Sequence, residues 1–212
     1  MNSVIRQAAA VLLCYPDRAL YDRLGLVRRA VAELPAGVAR RSLEGCCAHL
    51  AAAPELEAGA HFVRTFDLKR RRTLHMTYYT DGDTRRRGHA LARIKEVYRG
   101  CGWLVAGAEL PDHLAVVLEF AARGDREWGE RLLETFRPGV ELLRGALHEY
   151  GTPYAGVLDA VAATLPPDGE EARRRAVRLA ESGPPSEDVG LDPYGGATPL
   201  GMPTTLGAGG PR

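Results

Sequence analysis

Between Arg64 and Arg99 the chain reads RTFDLKRRRTLHMTYYTDGDTRRRGHALARIKEVYR, and most of its chemically capable side chains gather there. From Asp67 to Arg99 there are ten Lys or Arg against four Asp or Glu, a local charge of +6 in a chain whose net charge is +1. Two aspartates two residues apart open a calcium-loop pattern at Asp81 and Asp83. That pattern then places Arg86 where a glycine is needed and Ala92 where a bidentate glutamate belongs, so it holds no calcium. His61, His75 and His89 recur every 14 residues without a shared face. Cys46, Cys47 and His49 have no second half, so a metal site is not expected. No phosphate-cradling GxxxxGK[ST] or GxGxxG pattern occurs, nor a GxSxG nucleophile turn, and no catalytic residues are assigned.

Nucleic acid is the stronger alternative, because arginines with Tyr78 and Tyr79 between them could hold phosphates while stacking bases. Asp67, Asp81 and Asp83 are interleaved with the arginines, however. That pattern fits a solvated face, or Asp–Arg pairs holding a helix junction, better than a phosphate track.

The elements that would position these residues are helical. Ser3 can cap a helix carrying Val4, Ala8, Val11 and Leu12. Asp17 caps a second with Leu20, Leu24, Val27, Val31 and Leu34, stopped by Pro35. A third runs through Val38, Leu43, Cys47 and Leu50. A fourth from Pro54 places Leu56, Ala60, Val63 and Phe66 on one stripe. Gly82 makes a turn feeding an Asp83 cap, and Leu91, Ile94, Val97 and Tyr98 mark the next helix, closed by Gly100-Cys101-Gly102. Leu114, Val117, Leu118 and Ala121 follow. Asp125 caps a helix with Trp128, Leu132 and Phe136, and Val140, Leu143, Leu147 and Tyr150 mark another. Pro153 opens one with Tyr154, Val157, Leu158, Val161 and Leu165, and a more polar helix is expected over 170–182.

Strand-like alternation is absent over any useful length. The expectation is an all-α, single-domain bundle of about nine to ten helices over residues 1–182, followed by a disordered tail over 183–212 with eight Gly and six Pro. No apolar run approaches the roughly 20 residues of a membrane span. The apolar stretch from Ala8 to Cys14 lacks a cleavage site after it, so the start reads as an amphipathic helix of a cytoplasmic protein. Four unpatterned cysteines read as buried free thiols.

These residues also carry a resemblance. HFVRTFDLKRRRTLHMTYYTDGDTRRRGHALARIKEVYR, with the later ELPDHLAVVLEFAA and the early AAAVLLCYPD, resembles the nitrate reductase assembly chaperones, also called delta subunits. They belong to the wider all-helical family that matures molybdoenzymes with twin-arginine-type leaders. The match is most specific from His61 to Ala122. The family's Tyr-Tyr and Gly-Asp-Thr-Arg element falls on Tyr78, Tyr79, Gly82, Asp83, Thr84 and Arg85, and its Pro-Asp-His element on Pro111, Asp112 and His113. The wider family shows Glu-Pro-x-Asp-His, whereas here the proline adjoins Asp112.

The resemblance implies a non-enzymatic chaperone without a cofactor of its own. Its partner would be the N-terminal peptide of the nitrate reductase catalytic (alpha) subunit, or the alpha–beta complex, with no nucleic acid and no membrane insertion. It would keep the subunit competent for molybdenum cofactor insertion and leave before the enzyme works. A different twin-arginine-type molybdoenzyme client, or an RNA role for the arginines, are the alternatives. An amphipathic leader needs an apolar groove with acidic anchors. Phe66, Tyr78, Tyr79 and Leu114 are candidate walls, Asp83, Asp112 and Glu119 candidate charge acceptors, and Arg85 and His113 complete the motif positions. Each also has a structural role open to it: Tyr78 and Tyr79 as junction residues, Asp83 and Asp112 as helix caps. His113 beside a carboxylate is expected to titrate near neutrality and make binding pH-sensitive.

Overall fold

In the computed structural model residues 1–105, 109–166 and Pro185 are described. The polar helix expected over 170–182, and all of the tail except Pro185, lie outside them. Among the described residues there are nine α-helices and no strand: α1 (Asn2–Leu12), α2 (Arg18–Ala32), α3 (Val38–Ala52), α4 (Glu55–Phe66), α5 (Met76–Asp81), α6 (Arg85–Gly100), α7 (Leu114–Arg123), α8 (Arg126–Tyr150) and α9 (Tyr154–Ala162). A single 3-10 turn, Arg70–Arg72, lies between α4 and α5. The all-α expectation is what the structure shows. None of these helices is long and apolar enough to cross a membrane.

Helix α1 occupies the centre because small side chains let neighbours approach it. Ala8, Ala9, Ala10, Val11 and Leu12 are all buried, and α7, α2, α9 and α3 pack around them. Helix α3 lies on α9 and α2, α8 on α7 and α9, and α5 on α8. Close approach decides two glycines. A Cβ at Gly129 would sit 2.6 Å from the Ala121 backbone, and one at Gly139 would sit 3.0 Å from the Tyr79 ring. Helix α4 is bound by aromatics, with Phe62 4.8 Å from Phe66 and Phe66 5.1 Å from Tyr154.

Helix α2 matches its reading closely. Asp17 accepts the Leu20 N–H at 2.9 Å, and Leu20, Leu24, Val27, Val31 and Leu34 are all buried. Other expectations need correction. Ser3 lies inside α1, whose cap position is Met1. Helix α4 buries Ala58, Phe62, Thr65 and Phe66, leaving Leu56 86% exposed, because two phenylalanines bury more apolar area than one leucine. The two helices expected on either side of Pro138 are one helix, α8. Leu132, Leu133, Phe136, Val140, Leu143 and Leu147 keep a single helical phase across the proline, and burying that continuous stripe outweighs the lost hydrogen bond, about 3 kcal/mol. All four cysteines are free. Cys46 and Cys47 are buried, while Cys14 and Cys101 are half-buried.

An ion pair between a buried arginine and a partly exposed glutamate joins α1 to α8. Arg6, 2% exposed, donates to both Glu130 carboxylate oxygens at 2.7 and 2.9 Å, and to the Thr164 hydroxyl and carbonyl at 3.1 and 3.0 Å. The Arg6 hydrogen bond holds the Glu130 carboxyl below its usual range.

Candidate functional site

The motif residues first build a junction. The strand-like segments before α5 and α7 pair antiparallel at His75 and His113, with Met76 N–H on the Asp112 carbonyl at 3.0 Å and Leu114 N–H on the Leu74 carbonyl at 2.8 Å. Asp112, fully buried, reaches from this bridge to the start of α5. Its Oδ2 accepts the Thr77 N–H at 3.1 Å and the Thr77 hydroxyl at 2.5 Å, and its Oδ1 lies 3.3 Å from His75 Nδ1. Asp112 therefore caps α5 rather than α7, correcting the expected role. Burial alone would raise its carboxyl; hydrogen bonds from His75 and Thr77 outweigh that and hold it below the usual range.

The cap of α7 is His113 itself, whose Nδ1 accepts the Ala115 N–H at 3.3 Å. Burial pushes His113 below its usual value; His75 adds to this, while Glu109 and Asp112 oppose it. Its titration thus moves to the acid side of neutrality. Gly82 turns with φ +62° between α5 and α6, and Thr84 rather than Asp83 stands at the cap position of α6. Asp83 instead meets Arg70 at 2.6 Å and Arg87 at 3.6 Å. Arg87 also donates to the Thr77 hydroxyl at 3.2 Å, tying α6 to the α5 cap.

Tyr79 is 2% exposed and its hydroxyl donates to the Arg71 and Thr73 carbonyls at 3.1 and 3.0 Å. The half-buried Tyr78 ring lies edge-on to it at 5.7 Å. Phe66 and Leu114 are core residues, and Arg85 opens α6 on the surface. The buried Arg72 guanidinium donates to the Thr65 and Arg64 carbonyls and stacks 4.0 Å from the Tyr150 ring centroid.

On the other side of His75 and His113 runs a trough. One part, of about 600 Å³, has Ala10 and Val11 of α1, and Cys14 just after it, as its floor, with Phe62, Trp103, Leu104 and Val116 on its walls. The second part, of about 560 Å³, continues between α1, α2 and α7 past Val4, Leu26, Val27 and Ala122. Gln7, Val11, Arg23 and Glu119 line both, and the trough follows α1 from Ser3 to Val11, about 12 Å of helix. Several of the chain's exposed large apolar side chains stand along it: Val4, Tyr15, Leu26 and Leu104.

Its polar groups gather in the part beside His75 and His113, and Arg23 adds a positive charge shared by both parts. Asp67 and Glu109 line the His75/His113 end, while Glu119 pairs with Arg123 at 3.0 Å. The buried Gln7 Oε1 has no hydrogen-bond partner among the described residues. Cys14 is no nucleophile here: burial raises its thiol, with Arg23 only partly opposing, and keeps it protonated. Among the described residues no group of three or more His, Cys, Asp or Glu is placed to hold a metal ion. The arrangement can bind an apolar, partly basic segment.

Of the sequence-predicted site residues, His113 and Glu119 line the trough; Phe66, Tyr78, Tyr79, Asp83, Arg85, Asp112 and Leu114 do not. Asp112 touches it through His75. Sequence reasoning missed Gln7, Arg23, Asp67, Trp103, Leu104 and Glu109. The one local signal was a polar Gln7 at the head of the apolar run QAAAVLLC.

Comparison with known proteins follows the same segments. Residues 31–160 match the family described as "Nitrate reductase delta subunit". The chain is 40% identical over 161 residues to the nitrate reductase-like protein NarX of Mycobacterium tuberculosis, covering 76% of this chain but 24% of that protein, so it spans about a quarter of that relative. It is 30% identical over 169 residues to the probable nitrate reductase molybdenum cofactor assembly chaperone NarJ of Bacillus subtilis, covering 78% of this chain and 92% of that one. The NarJ chaperone of Escherichia coli K12 is 30% identical over 156 residues, covering 70% of this chain and 64% of that one. A crystal structure described as a redox enzyme maturation protein from Archaeoglobus fulgidus shares the fold, with a TM-score of 0.57 at 20% identity over 77% of this chain and 92% of that one. The chain belongs to the nitrate reductase delta subunit family.

Proposed function

We propose that this protein is a cytoplasmic, non-enzymatic assembly chaperone for a respiratory nitrate reductase. It binds the N-terminal segment of the catalytic (alpha) subunit, keeps that subunit competent for molybdenum cofactor insertion and membrane-complex assembly, and is absent from the final enzyme. Residues 1–182 form the chaperone unit and 183–212 a tail outside it. The observation that carries the reading is the match to the Bacillus subtilis chaperone along 92% of its length.

The trough supports the peptide part of the reading. An amphipathic segment would lay its apolar stripe on Ala10, Val11 and Val116, between Leu104 and Leu26. Its basic side chains would face Asp67 and Glu109. Calorimetric titration with the subunit's N-terminal peptide tests this, beside the N-terminal peptide of an unrelated molybdoenzyme. Saturable one-to-one binding of the first peptide alone is the expected result. Equal binding of both would move the client to a broader class, and no binding of either would remove the peptide reading.

A further inference from the structure

The arginine-rich segment divides into two populations. Arg70, Arg71, Arg72 and Arg87 are all engaged, with Asp83, Glu149, backbone carbonyls and Thr77. Arg86, Arg93, Lys95 and Arg99 are exposed on α6 and make no ion pair or hydrogen bond among the described residues. At 100° per residue they occupy about half of the helix circumference, opposite the buried Ile94 and Tyr98. Arg86 and Arg93, two turns apart, line one edge; Lys95 and Arg99, about one turn apart, line the other. His89 and Glu96 run between them. The whole strip is about 20 Å long.

Within this face Arg86, in the first turn of α6, opposes the helix dipole, whereas Arg99, in the last turn, complements it. We propose that the outer face of α6 is a docking surface for an acidic helical segment of a partner protein. The guanidiniums suit bidentate carboxylate contacts, and their one- and two-turn spacing matches carboxylates repeating along a helix. Glu96 within the strip would repel a phosphate backbone, whereas a helical protein segment can set a lysine opposite it. No exposed position of α6 carries a Phe, Tyr or Trp to stack bases or a large apolar side chain to enter a bilayer. The helix ends three residues before Trp103 and four before Leu104 at the trough, so one partner can reach both sites. The proposal does not rest on what the trough binds.

Three probes test it by fluorescence anisotropy at low and moderate salt. They are a labelled helical peptide with glutamates three and four residues apart, a short single-stranded RNA, and vesicles of phosphatidylglycerol in phosphatidylcholine. Two variants each remove four charges. One carries Arg86→Gln, Arg93→Gln, Lys95→Gln and Arg99→Gln; the other carries Arg18→Gln, Arg28→Gln, Arg41→Gln and Arg126→Gln. The expected result is peptide affinity about tenfold weaker in the first variant and within about threefold of wild type in the second. Should the first lose helicity, the pair Arg93→Gln and Lys95→Gln carries the same comparison. Equal losses in both variants, no peptide binding by the wild type at low salt, or tighter binding of RNA or vesicles than of the peptide would each overturn the proposal.

Discussion

Asp112 caps a helix it does not belong to: its Oδ2 accepts both the Thr77 backbone N–H, at 3.1 Å, and the Thr77 hydroxyl, at 2.5 Å, across 35 residues of sequence. Replacing Asp112 with alanine leaves these buried donors unpaired, an expected loss of about 2–4 kcal/mol. Thr77→Val alone removes one of the two bonds, and the double variant should be less destabilised than the sum. Urea unfolding of the four proteins checks this. The folded Asp112 carboxyl lies below its usual value, so its contribution is complete above the unfolded pKa and disappears as pH falls through the folded one.

His113 sets a second acid-side transition. Its Nδ1 can accept the Ala115 N–H only while unprotonated, and its pKa is lowered by burial. The stability it contributes is full above the unfolded histidine value, about 6.5, and is lost as pH falls through the lower folded value. Unfolding midpoints should be flat from pH 7 to 8 and decline below about 6. His113→Asn keeps a capping oxygen without a proton to gain, so it should remove the histidine part of that decline. His75, Glu109 and Asp112 face the same ring, and an unchanged slope in His113→Asn would remove His113 as the source of the transition.

Leu104 separates trough from junction, because it is 82% exposed yet lines the trough. Leu104→Ser should leave thermal stability within about 0.5 kcal/mol of wild type and weaken the N-terminal peptide about tenfold. Tyr78→Ala, on the junction, should leave peptide affinity within about threefold if the trough is the whole site. The same calorimetric titration reads both variants, and the opposite ranking would place the peptide on α5.

Arg6 and Glu130 should behave as a unit. Arg6→Ala removes the partner of a partly exposed carboxylate and two bonds to Thr164, an expected loss of about 2–3 kcal/mol. Arg6→Met with Glu130→Leu should recover most of it, since a well-packed apolar pair can replace a buried ionic one. Chemical denaturation of the single and double variants measures the coupling.

The helices were legible because apolar spacing is a local property. Asp17 followed by Leu20, Leu24, Val27, Val31 and Leu34 gives cap, phase and length within one window. Pro138 misled because a proline normally breaks a helix; only the shared phase of Phe136 and Val140 across it revealed one element. Leu56 misled because residue type does not say which face of α4 meets Tyr154. The junction residues were legible as a cluster, but Asp112 was assigned to the adjacent helix since its real partner is distant in sequence. The trough had almost no local signature. It exists because α2, α4 and α7 stop short of one another around α1, which no window of sequence contains.

The His75–His113 bridge also makes residues 76–111 a closed loop with a fastened neck. Releasing the neck frees two backbone bonds, the carboxylate cap of α5 and the seat of the His113 side chain together, so these groups should open as one cooperative unit. In native-state deuterium exchange the amides of Met76, Thr77 and Leu114 are expected to share one opening free energy. Because His75 and His113 also line the trough, a bound segment should slow all three amides together. Occupancy of the groove would then be felt as stiffness in α5 and α6, on the far side of the bridge.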